Sequence, residues 1–97
     1  MEKRKLLVLD LDGTVRQSKS GEFINGPDDV ELIPGVAIQL LRRKEEGYAI
    51  YGWTNQAGVA YGFKDEETPF YENAAMLGML EREVGDSIFE EIVVSIL

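Results

Sequence analysis

Lys5-Leu6-Leu7-Val8-Leu9-Asp10-Leu11-Asp12-Gly13-Thr14 is an apolar run that ends on two carboxylates one residue apart. A buried strand with this ending delivers charge where a parallel sheet opens to solvent. In open α/β sheets that carboxyl edge is where ligands bind.

Outward from this tip, Val15 to Asp29 is polar and glycine-bearing, with Ser18, Ser20, Gly21, Asn25, Gly26 and Pro27 as repeated turn signals. The pattern predicts a long loop or short hairpin, with Glu22-Phe23-Ile24 its one strand-like piece. Its position after the carboxylates suits a flap over them, or else a surface loop. Pro34 then opens a helix and Gly47 closes it just beyond Glu46. Val36, Ala37, Leu40 and Leu41 repeat at helical spacing and face the sheet, leaving Arg42 to Glu46 outside.

Tyr48-Ala49-Ile50-Tyr51-Gly52-Trp53 reads as a strand covered on both faces and ends at Thr54-Asn55. A polar, flexible segment from Gln56 to Lys64 leads to a second helix, with Thr68 as N-cap and Pro69 at the first helical position. Phe70, Ala74, Leu77, Leu80 and Val84 form its apolar stripe, Met76 and Met79 read as packing, and Gly85 stops it. Ile92 to Leu97 completes a third buried strand. The order is βαβαβ, an α/β chain with a partial doubly wound, Rossmann-like parallel sheet, both helices on one face, and a flap-like insert after the first strand.

The 97 residues, 44% of them apolar, suit a single small domain. Absence of cysteine excludes a disulfide framework, a thiolate metal site and a cysteine nucleophile. Histidine is also absent, so an acid or base must be a carboxylate, lysine or tyrosine, and a metal would have oxygen ligands, which favours magnesium. The apolar runs are too short to span a bilayer, and Met1 to Lys5 leads into a strand, so no membrane segment and a cytoplasmic placement are expected. A net charge of −8 disfavours non-specific attraction to nucleic acid or anionic membrane. The short basic clusters Lys3 to Lys5 and Arg42 to Lys44 read as solvated strand and helix ends.

At the strand tip the chain is turning, so the Asp10 and Asp12 carboxylates can reach one pocket and, with water and a substrate oxyanion, hold a magnesium ion. Gly13 permits a tight turn and Thr14 offers a hydroxyl. A lone Asp at such a place also reads as an Asx-turn. Thr54 and Asn55 end the next strand at the same edge, and their neutral donors suit a phosphoryl oxygen.

Asp10-Leu11-Asp12-Gly13-Thr14-Val15 resembles the first motif of the haloacid dehalogenase superfamily of phosphatases and phosphotransferases, and Trp53-Thr54-Asn55-Gln56 resembles its second. Thr54 to Ala60 is similar to the branch holding histidinol-phosphate phosphatase, heptose bisphosphate phosphatase and the polynucleotide 3′-phosphatase. Ser20 to Pro27 is similar to the polynucleotide phosphatase in particular. The resemblance implies Asp10 as nucleophile and Asp12 as acid then base. It places magnesium on the Asp10 carboxylate and the Asp12 carbonyl, and phosphoryl oxygens on Gly13, Thr14, Thr54 and Asn55. The substrate it implies is a sugar or histidinol phosphate, or a nucleic-acid 3′-phosphate.

Such phosphatases also use a lysine after the third strand and an acidic pair after the fourth. Here Lys64 is the one lysine after Thr54, with a surface role expected, and Asp86 falls at the wrong end of the sheet. Residues 1–97 are therefore expected to be the N-terminal half of a haloacid dehalogenase-like hydrolase domain. In the family's sheet Leu6 to Leu9 would then be an exposed edge, covered by a missing C-terminal segment or a partner copy. The alternative is a non-catalytic, truncated phosphatase-like module that acts in partner binding or assembly.

Overall fold

The computed structural model describes residues 5–62 and 64–95, so Lys3 and Arg4 of the first basic cluster, and Ile96 and Leu97 of the last expected strand, lie outside the described residues. Three strands, β1 (Lys5–Asp10), β4 (Tyr48–Asn55) and β5 (Phe89–Ser95), pair in parallel in the order β1-β4-β5. Between β1 and β4 come β2 (Arg16–Ser18), a 3-10 turn (Pro27–Asp29), β3 (Val30–Leu32) and α1 (Val36–Glu45). α2 (Ala57–Ala60) and α3 (Thr68–Val84) lead to β5. The chain is thus an α/β fold with a parallel sheet, as its sequence predicts.

Leu7, Leu9 and Leu11 of the first strand and its tip point to the helix side, where they pack with Ile50, Phe89, Ala37, Leu40, Met76 and Leu80 in one core. The other face is open. Leu6 is 63% and Val8 66% exposed, and Trp53 and Val93, at register-matched positions, are exposed too. The expectation that Tyr48 to Trp53 is covered on both faces holds at Ala49, buried beside Leu6, and is corrected at Trp53, as is full burial of the last strand. The crossovers through α1 and α3 cover one face, and none of the described elements covers the other. β1 is an edge strand, as expected.

Gly52 of β4 pairs with Leu9, and core side chains fill the space that a side chain of its own would need. A Cβ there would come within 2.8 Å of Leu11 Cδ2 and 3.2 Å of both Ile92 and Phe89. Gly52→Ala is accordingly expected to destabilise the fold by roughly 1–3 kcal/mol through overpacking, read as a lower urea midpoint.

Helix boundaries differ slightly from the sequence expectation. α1 begins at Val36 after an N-cap Gly35 in the left-handed region, so Pro34 precedes the helix and does not open it. For α3 the N-cap is Glu67, making no side-chain cap bond, and Thr68 is already helical. Gly85 does end α3 in the left-handed conformation, at φ 72°, with its N–H donating to the Glu81 carbonyl.

The inward face of α3 is the larger departure. Pro69, Glu72, Asn73, Met76 and Leu80 are buried, whereas Phe70 and Ala74 are exposed. Glu72 and Asn73 take the inward positions expected for Phe70 and Ala74 because each finds a partner inside, described below, whereas Leu80 is buried and Leu77 and Val84 pack against the core as expected. Met76 packs in the core as expected.

In the insert, Arg16–Ser18 pairs antiparallel with Val30–Leu32, and Glu22-Phe23-Ile24 is not a strand. Val15, Ile24 and Val30 enter the core, which docks the hairpin on the helix side of the fold. Its turn is stapled by Asp29, whose carboxylate accepts the N–H groups of Ser20 (2.9 Å) and Asn25 (3.1 Å) and the Ser20 hydroxyl (3.0 Å). Desolvation would raise the Asp29 pKa, but the hydrogen bonds from Asn25, Ser20 and Lys19 together outweigh it and hold the carboxyl below its ordinary value. A depressed folded-state pKa contributes stability above the unfolded value of about 3.9, lost as pH falls through the lower folded value. Amide protection in residues 19–29, taken relative to the unstructured exchange rate at each pH, is therefore expected to hold above pH 4 and to fall as the pH drops through the lower folded value, and Asp29→Asn should remove that dependence.

Candidate functional site

The site forms at the carboxyl edge of β1 and β4. Asp10 closes β1 opposite Trp53, and the Leu11 N–H donates to the Trp53 carbonyl at 2.9 Å, holding the two strand tips together. The chain then winds tightly around one atom. The Leu11 carbonyl accepts the N–H groups of Val15 (2.9 Å) and Arg16 (3.1 Å), a turn permitted by Gly13 at φ 85°. That winding brings Arg16 back onto Asp12.

The two carboxylates differ sharply. Asp10 is exposed, and its carboxylate has no hydrogen bond or ion pair among the described residues. Asp12 is engaged at both oxygens: Oδ1 accepts from Arg16 Nε at 3.0 Å, and Oδ2 from the Thr54 hydroxyl at 2.5 Å. Thr54, wholly buried, in turn accepts from Gln56 Nε2 at 2.7 Å and Arg16 Nη2 at 3.4 Å. Its single hydroxyl proton is committed to Asp12 in this structure. The Gly13 N–H donates to the Arg16 carbonyl at 2.9 Å, so it too is occupied. Thr14 and Asn55 lie at the same edge with exposed side chains.

Behind Thr54 the network continues inward. Lys64 Nζ donates to Gln56 Oε1 (3.3 Å) and forms an ion pair with Glu72 (2.8 Å), whose side chain has no solvent exposure. Glu72 also accepts the Gly26 N–H of the hairpin turn at 2.8 Å, and the neighbouring Asn73 accepts from Arg16 Nη1 at 2.6 Å. Lys64 is thus corrected from a surface residue to a nearly buried member of this network, its side chain 10% exposed. Asp86 bonds Lys44 and the Ser87 N–H in the turn that precedes β5, at the opposite end of the sheet, as expected.

Sequence reading brought Asp10, Asp12, Gly13, Thr14, Thr54 and Asn55 to one edge, and the structure does the same. It missed Arg16, Gln56, Glu72 and Asn73. The available signal was spacing: Pro69, Glu72, Asn73, Met76 and Leu80 fall on one helical face, which places two polar residues inward.

The donor set fits magnesium in kind. An unpartnered carboxylate on Asp10 and the Asp12 carbonyl, which accepts no hydrogen bond from the backbone of the described residues, are hard oxygen ligands. Among the described residues no group of three or more acidic, histidine or cysteine side chains could hold a metal. No described helix is long and apolar enough to cross a membrane.

No protein-family model matches the chain. Over 59 residues, 61% of this chain, it is 39% identical to D-glycero-β-D-manno-heptose-1,7-bisphosphate 7-phosphatase of Photorhabdus laumondii, a stretch covering 30% of that protein. The D,D-heptose 1,7-bisphosphate phosphatase of B. bronchiseptica, solved with magnesium and phosphate, superimposes with a TM-score of 0.80 at 28% identity, covering 95% of this chain and 50% of that one. The corresponding enzyme of Burkholderia thailandensis gives a TM-score of 0.68 at 28% identity, over 97% of this chain and 54% of that one. The chain therefore spans about half the length of these solved relatives. In sequence and in fold, the chain is similar to the haloacid dehalogenase-like phosphatases, and within them to heptose bisphosphate phosphatases.

Proposed function

We propose that this chain is the nucleophile-bearing, N-terminal half of a haloacid dehalogenase-like hydrolase domain, a magnesium-dependent phosphatase acting through an aspartyl-phosphate. The observation that carries the reading is the asymmetry of the two carboxylates: Asp10 stands exposed and unpartnered beside an Asp12 held at both oxygens. A nucleophile must be free to meet phosphorus, and a proton carrier must be held in place.

Asp10 attacks phosphorus and the ester P–O bond breaks, while Asp12, which takes up a proton at Oδ2 once the Thr54 hydroxyl has turned to the phosphoryl group, gives that proton to the leaving alcohol oxygen. Asp12 then takes a proton from water as that water attacks the aspartyl-phosphate, which releases phosphate and restores Asp10. Magnesium would be held by the Asp10 carboxylate and Asp12 carbonyl, and when bound it offsets the repulsion between carboxylate and phosphate. Thr14 and Asn55 have donors available for the phosphoryl oxygens. Gly13 and Thr54 join them once their present hydrogen bonds are released.

The heptose bisphosphate relatives favour a sugar phosphate over histidinol phosphate or a nucleic-acid 3′-phosphate, and the net charge of −8 points the same way. A cytoplasmic enzyme is the corresponding placement, with the open β1 edge covered by further chain or by a second copy. One observation favours the second reading, a non-catalytic module for assembly: the described residues hold no three-ligand acidic cluster.

The test is phosphate release from an aryl phosphate, a heptose 1,7-bisphosphate and a 3′-phosphorylated oligonucleotide, with magnesium and with chelator. Chelator-sensitive release, fastest from the sugar, is the expected result. No release from any ester would leave the assembly module standing.

A further inference from the structure

Arg16 is the largest fully buried side chain of the described residues. Taking a guanidinium wholly out of water is costly unless every donor finds a partner, and an apolar residue would fill the same space without that cost. Each of its three nitrogens instead meets an acceptor. Nε reaches Asp12 Oδ1 (3.0 Å), Nη1 reaches Asn73 Oδ1 on α3 (2.6 Å), and Nη2 reaches Thr54 Oγ1 on β4 (3.4 Å). Thr54 closes the ring by donating to the other Asp12 oxygen. Three elements that are remote in sequence therefore meet on one planar cation, and the group they jointly fix is a carboxylate at the sheet edge.

We propose that Arg16 is a positioning residue: it locks the Asp12 carboxylate, through Nε, in the orientation from which Asp12 passes its proton to and from the reacting oxygens. This rests on the reading of Asp12 as the proton carrier of a phosphatase. Nη1 anchors the lock to α3 and Nη2 registers it against β4, so the orientation is set by the folded scaffold and not by the mobile substrate. A purely structural Arg16, tying the hairpin to α3, would affect folding but leave a folded variant at full turnover. Lysine presents a point charge without the fork and cannot hold three acceptors in fixed directions.

The experiment uses the full chain with magnesium and an aryl phosphate, comparing wild type, Arg16→Lys and Asn73→Ala after their folded fractions have been matched. Arg16→Lys is expected to lower kcat roughly 100-fold with KM within about threefold, since a misplacement on the order of 1 Å has that effect on oriented chemistry. Asn73→Ala cuts a single prong and is expected to lower kcat roughly tenfold, again without moving KM. It also serves as the measurement if Arg16→Lys does not fold.

A second readout does not need turnover. Wild type should show a solvent-protected Arg16 Nε–H resonance that shifts in Asp12→Asn while the backbone amides of α3 stay in place. Full kcat in either folded variant, or an unprotected Nε–H in wild type, overturns the proposal alone. A protected Nε–H in a wild-type chain without turnover overturns the phosphatase reading, and the proposal with it.

Discussion

Asp10→Asn is expected to abolish phosphate-ester hydrolysis, by roughly 10⁴-fold or more, while the chain stays folded. The size follows from what the substitution removes. An amide oxygen is a poor nucleophile, and the intermediate that divides one hard displacement into two easier ones cannot form on it. The fold should tolerate the change because the Asp10 side chain is exposed and makes no hydrogen bond or ion pair among the described residues. Losing a charge beside Asp12 also relieves repulsion at the strand tip. Thermal unfolding should therefore be unchanged or slightly raised in the variant, and single-turnover kinetics should show no phosphoryl-enzyme. Full turnover in a folded Asp10→Asn chain would move the nucleophile elsewhere and undo the assignment.

The same exposure explains why Asp10 was legible in the sequence. An apolar run that ends on Asp-x-Asp-Gly-Thr announces both a strand and its functional end, because period and chemistry point to one place. The strands β1 and β4, the helix stop at Gly85 and the packing role of Met76 followed from patterning of the same local kind. Arg16, Glu72 and Asn73 were not legible, for the converse reason. Their partners lie far along the chain: Arg16 bonds Asn73 across 57 residues and Gly26 bonds Glu72 across 46. Apolar periodicity carries no information about a polar side chain that goes inward to meet another one. It therefore placed Phe70 and Ala74 inside where Glu72 and Asn73 belong, while Leu77, Leu80 and Val84 pack as the periodicity indicates. The open sheet face went unread for a related reason. Val8, Trp53 and Val93 are as apolar as core residues, and composition alone does not say whether an element is present to cover them.

Lys64 and Glu72 carry the largest expected effect on stability. Glu72 has no exposed side-chain surface, and its two oxygens are held by Lys64 and by the Gly26 N–H. Lys64→Met leaves that carboxylate buried with one backbone donor, and breaking a buried pair in this way costs about 3–5 kcal/mol. For a domain whose whole stability is of order 5–15 kcal/mol, that is a large fraction. Glu72→Gln is expected to cost less, because a neutral amide oxygen can still accept from Gly26 and a lysine whose side chain is 10% exposed can turn toward water. The double substitution Lys64→Met with Glu72→Gln should recover much of the loss, since no uncompensated charge remains inside. Urea unfolding of the four chains measures this cycle directly. A Lys64→Met chain as stable as wild type would show that Glu72 is solvated or protonated without its partner, and the bond to Gly26 would then hold the hairpin unaided. The cycle also separates stability from chemistry: Gln56 lies between Lys64 and Thr54, so a loosened Lys64 reaches Asp12 through two further hydrogen bonds and should lower turnover far less than Asp10→Asn.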